Sequence, residues 1–265
     1  MGMLLSGLVT AASLALAAVV GARLLWRAVR GTSGPEVWLA GYFLCGAFLS
    51  SLINIVLYSS LGDRGLPISD ETFSTALTVS TFLVGIAGTS AYVFTWQTFR
   101  PGAAWARALV LAAVAVFAVT WTFQAATGRF ALVVMPGPAF WIERSFFCGA
   151  FVWAAVESFR YHAALRRRLR IGLADPVLVN RFWLWGAWAS ATGLLAVSEL
   201  LARIVYVWTT GQTEVVLVDR AMPIIVATVA VTSSVGGVAV ALLWLTFFPS
   251  RRYQGWIEAR HATRA

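Results

Sequence analysis

The chain has 265 residues, 60% of them hydrophobic and only 12% charged, with a mean hydropathy of +0.79. A soluble domain carries about twice that charged fraction, so the composition excludes a soluble enzyme and leaves one integral membrane domain over 1–265. The formal charge of +9 comes from arginine alone, since no lysine occurs. These arginines flank apolar runs, which accounts for them without any nucleic-acid partner.

Seven apolar runs follow one another, over 4–26, 38–61, 73–99, 105–126, 139–159, 182–208 and 222–248. Each meets the roughly 20 residues a helix needs to cross a hydrocarbon core. The expected fold is an all-α integral membrane protein, a seven-transmembrane-helix bundle with a short basic tail over 249–265. The first run has a signal-like Ala15-Leu16-Ala17, but no positive charge precedes it. Arg23, Arg27 and Arg30 follow it, so it reads as a retained helix.

Fifteen of the 20 basic residues border the first, third and fifth connections and the tail. Arg64, Arg129 and Arg220 lie on the other side, and Arg144 and Arg203 sit within span ends. The bias predicts the N-terminus outside and the C-terminus cytoplasmic. With a composition rich in Ala, Val, Gly and Arg, it points to a multi-pass protein of a bacterial inner (plasma) membrane.

Local signals agree with these limits. Ser69 is placed to cap the third helix, with Asp70 and Glu71 in its first turn, where the helix dipole favours acids. Pro101-Gly102 breaks the chain after it, and Asp175-Pro176 reads as an N-cap with proline at the first helical position. The sixth helix is then expected from Pro176 to Trp208, protruding beyond the bilayer. Segments 130–135 and 214–218 read as interfacial or short-strand connections. Trp26, Trp38, Trp96, Trp105, Trp183, Trp185 and Trp244 form one aromatic belt and Trp121, Trp141 and Trp208 the other, with Trp153 and Trp188 deeper.

A charge at a helix centre costs about 2.5–3.5 kcal/mol on insertion scales, so intramembrane ions are the leading candidates. Glu199 and Arg203 share one face of the sixth helix. They read either as a self-paired couple or as the charged floor of an outward-facing pocket. Glu143 and Arg144, near the outer start of the fifth helix, are candidate companions, although adjacent residues face different ways. Together with Asp219 and Arg220 they place a possible ligand site at the outer ends of helices five to seven. Glu157 reads as an i, i+3 partner of Arg160.

Small and polar residues recur at helical spacing: Gly46, Ser50, Asn54 and Tyr58; Thr78, Thr81, Gly85, Thr89 and Tyr92; Thr228, Thr232 and Gly236. Close helix packing explains such stripes, and a polar cavity is the other reading. Asn54 is the most telling, because an amide facing lipid lacks partners. Arg166, Arg167, Arg168 and Arg170 are expected to meet anionic headgroups or a cytoplasmic partner.

Absences narrow the chemistry. Without lysine no retinal Schiff base forms. His162 and His261 are the only histidines and lie outside the spans, and Cys45 and Cys148 read as core residues. No catalytic motif, metal site or cofactor site is read here. In span count and topology the chain resembles the seven-helix sensory regions found ahead of bacterial kinases and cyclases. Since only 249–265 follow the last run, that resemblance implies a separate signalling partner in the cytoplasm or membrane. The leading expectation is a receptor-like or accessory sensory module binding a small ligand or lipid. The alternatives are a small secondary transporter or channel, and an enzyme or enzyme subunit acting on lipid.

Overall fold

The computed structural model describes residues 2–31, 34–59, 68–128, 137–210 and 222–262. Among them are eight helical stretches and no strand. They are α1 (Gly2–Val29), α2 (34–59), α3 (Asp70–Phe99), α4 (Ala104–Thr127), α5 (Pro138–Leu169), α6 (Pro176–Thr210), α7 (Met222–Phe247) and α8 (Arg251–Ala262). Helices α1 to α7 supply seven segments long and apolar enough to cross a membrane. The expected segments 130–135 and 214–218 lie outside the described residues, as do Asp219 and Arg220.

Chemistry at the helix ends follows the sequence. Ser69 Oγ accepts from Thr72 N at 3.3 Å, and Asp175 Oδ1 accepts from Val177 N at 2.9 Å. These bonds satisfy backbone donors that an α-helix leaves free in its first turn. Gly128 closes α4 at φ +63°, the left-handed conformation glycine adopts without a Cβ penalty.

Three elements add detail that the apolar runs do not carry. Helix α5 runs on past Phe159, where the apolar run ends, to Leu169, so Arg166, Arg167 and Arg168 ride an exposed helical extension. The basic tail folds into α8, whose Ile257 is buried and whose Tyr253 hydroxyl accepts from Asn180 Nδ2 of α6 at 2.9 Å. Within α2, Tyr42–Ser50 is π-helical, between α-helical Gly34–Gly41 and Ser51–Ser59. Such wider turns are rare, shift the register of the residues after them, and occur often at functional sites.

Helices α1 to α7 pack in cyclic order, each against its chain neighbour, with α7 against α1 closing the ring, α3 also meeting α5, and α8 lying on α6. Short connections between long antiparallel helices favour this order. Gly46 of α2 lies against Ala87 of α3 with no room for a Cβ, so the two backbones approach closely. The core centres on an aromatic cluster of Tyr42, Phe43, Phe151, Trp185, Trp188 and Phe247. Trp185, expected in the interfacial belt, is therefore a core residue. Trp26, Trp105, Trp183, Trp208 and Trp244 remain exposed, as a belt requires.

Candidate functional site

Polar side chains inside a bundle must find partners or line a cavity. Both outcomes occur here. On α2, Asn54 and Ser50 face Ser80 of α3. Ser80 Oγ donates to Asn54 Oδ1 at 2.9 Å, and the Ser50 and Ser80 hydroxyls share a hydrogen bond at 2.9 Å. The Asn54 amide nitrogen donates to no described residue.

Opposite this triad stand the charges. Glu199 Oε1 of α6 accepts from Arg203 at 3.2 Å and lies 3.9 Å from Arg144 of α5. The two guanidiniums lie near the Phe140 ring, 5.0 and 5.5 Å from its centroid for Arg203 and Arg144. Aromatic contact of this kind offsets part of the cost of desolvating a cation. The Glu199 side chain keeps 40% of its surface open.

These groups line one cavity of about 340 Å³, walled by α2, α3, α5 and α6. Tyr42 and Ser50 of the π-helical turn form part of the wall, as do Ser80 and Thr81. Two guanidiniums and one carboxylate stand among the lining residues, a set suited to a small polar guest. The amide and hydroxyls opposite add hydrogen bonds that fix its orientation. Among the described residues, no three His, Cys, Asp or Glu side chains gather closely enough to hold a metal ion.

Of the residues singled out from sequence, Glu199, Arg203, Arg144 and Asn54 come together here. Glu143 does not. It turns toward α4, is buried, and accepts from Gln124 Nε2 at 2.6 Å. The site was expected at helices five to seven, yet no described residue of α7 lines it. Glu157 does lie 4.0 Å from Arg160, but Arg100 Nε meets both of its carboxylate oxygens at 3.0 Å. Sequence reasoning missed Tyr42, Ser80, Gln124 and Arg100. The last two carried a signal, an amide inside an apolar run and an arginine at a helix end.

A second cavity, of about 320 Å³, opens at the arginine-rich end among α1, α2, α3, α6 and α7. Trp185 lines it, and Trp185 packs on Trp188 at 4.7 Å between centroids. Trp188 in turn packs on Tyr42 of the first cavity at 5.8 Å. An aromatic partition thus separates the two spaces. Comparison with protein-family models, curated proteins and solved structures finds no match to this chain.

Proposed function

We propose that the chain is a receptor-like or accessory membrane module that binds a small anionic or zwitterionic molecule in the cavity between α2, α3, α5 and α6. One observation carries this reading. Glu199 pairs with Arg203 and approaches Arg144 on a cavity wall that Asn54 and Ser80 face from the other side. A carboxylate or phosphate on the ligand meets the guanidiniums, a cationic or hydroxyl group meets Glu199, and the Asn54 amide donates to a remaining oxygen.

On this reading the protein sits in a bacterial inner membrane with its N-terminus outside, as the arginine bias favours. Binding shifts α5 against α6, the pair with the most extensive mutual packing. Their far ends carry Arg166, Arg167, Arg168 and Arg170, exposed and available to a cytoplasmic or membrane signalling partner. Any such shift requires the ligand to bind one arrangement of the helices better than another.

Thermal unfolding of the full chain in micelles, run against a panel of small carboxylates, amino acids and phosphate esters, tests the reading. At least one member is expected to raise the melting temperature, and Arg144→Gln to remove that rise. A panel without effect, or a rise that survives Arg144→Gln, counts against the site.

A second reading, a small secondary transporter or channel, is favoured by the aromatic partition between two cavities near opposite ends of the bundle. It predicts solute or proton flux in proteoliposomes that Glu199→Gln alters. The receptor reading predicts none.

A further inference from the structure

We infer that the cavity at the arginine-rich end is a binding site for one anionic phospholipid, its phosphate held by Arg23 and Arg181 and its glycerol end seated on the apolar floor. The site is separate from the ligand cavity and does not depend on its function.

Charge comes first. Three guanidiniums, of Arg23, Arg27 and Arg181, and one carboxylate, of Glu36, line this space. Arg27 and Glu36 pair at 3.3 Å. Arg23 lies 5.3 Å from the Phe248 ring, and neither it nor Arg181 pairs with a carboxylate among the described residues. Two cations therefore border the cavity beyond what Glu36 neutralises. A phosphate diester fits that deficit, whereas the choline group of a zwitterionic lipid brings a third cation into the same field.

The floor decides between a lipid and a free anion. Leu24, Leu39, Phe99, Phe182, Trp185 and Phe247 line the same space. Inorganic phosphate has no apolar part to meet such a surface, whereas the methylenes next to a phospholipid's glycerol pack on it while staying out of water, as they do in the bilayer. At about 320 Å³ the cavity takes a headgroup and the first methylenes, leaving the acyl chains in the bilayer.

Depth agrees. Arg27 lies in the last turn of α1, Glu36 in the first turn of α2, Phe99 ends α3 and Phe247 ends α7. Helix ends mark the level of lipid headgroups, where arginines extend into the interface and basic pockets between spans take anionic lipids.

The test is native mass spectrometry of the full chain, released from micelles doped with equal phosphatidylglycerol and phosphatidylcholine. One phosphatidylglycerol per chain is expected to stay bound, with a preference on the order of tenfold for two arginine contacts. R23Q/R181Q is expected to bring the preference close to unity. R107Q/R251Q, which removes the same charge from exposed arginines outside the cavity, is expected to keep it. Equal retention of both lipids overturns the site, as does selectivity that survives R23Q/R181Q or falls equally in the control. Displacement by excess inorganic phosphate replaces the lipid with a free-phosphate site and also overturns the proposal. If R23Q/R181Q does not fold, the wild-type chain decides. Phosphatidylglycerol brominated near the glycerol end of its chains must quench tryptophan fluorescence more than equally brominated phosphatidylcholine, and equal quenching overturns the site.

Discussion

Glu157 and Glu199 are both carboxylates within helices long and apolar enough to cross a membrane, and each has two arginines within 4.0 Å. Their surroundings differ. Glu157 keeps 5% of its side-chain surface, with both oxygens held by Arg100 Nε at 3.0 Å. Glu199 keeps 40%, with contacts of 3.2 and 3.9 Å, and faces a cavity. The first is a closed tie between α3 and α5, and the second is an open site. An ion inside a span is therefore no mark of function by itself; access to a cavity separates the two.

The largest expected effects lie at the structural tie. Arg100→Gln leaves the buried Glu157 carboxylate only Arg160, at 4.0 Å, and loss of the charge-assisted hydrogen bonds from Arg100 costs about 1.5–3 kcal/mol. A marked fall in melting temperature in micelles is expected, and an unchanged value would show that the tie does not hold α3 to α5. Gln124→Leu removes the hydrogen bond to buried Glu143, for about 1–3 kcal/mol. The same unfolding measurement checks it, and an unchanged value would place Glu143 in contact with water. Gly46→Val inserts a side chain against Ala87 where a Cβ already has no room, at about 1–3 kcal/mol by overpacking. Here the melting temperature and the fraction recovered as monomer both report.

Glu199→Gln sits at the other end of the scale. Its part-exposed pairs are worth about 0–1 kcal/mol, so stability stays within that range while ligand response is lost. A large stability loss from Glu199→Gln, comparable to that of Arg100→Gln, would make Glu199 a second structural tie.

The spans were legible in the sequence because about 20 apolar residues in a row have few other uses. Caps at Ser69 and Asp175 were legible because their hydrogen bonds are local. Glu199, Arg203, Arg144 and Asn54 were singled out by the cost of burying polar groups, which needs no tertiary information. Which of them meet was not legible. Adjacent Glu143 and Arg144 face apart, and only the packing of α4 against α5 gives Glu143 its Gln124 partner. Arg100 lies 57 positions from Glu157, beyond any helical spacing rule. The π-helical turn at Tyr42–Ser50 left no sequence signal, since it contains neither proline nor a polar cluster that demands it.

Water access at the two carboxylates tests the central distinction most directly. In a chain with Cys45 and Cys148 replaced by alanine, Asn54→Cys places a thiol on the cavity wall and Ser158→Cys places one at the fully buried position that follows Glu157 on α5. A negatively charged methanethiosulfonate reagent is predicted to modify Asn54→Cys at least about tenfold faster than Ser158→Cys, because thiolate formation and access both need water. It is also predicted to outpace its positively charged analogue there, as the two guanidiniums require. Equal rates at both positions, or modification of Ser158→Cys alone, would contradict the account.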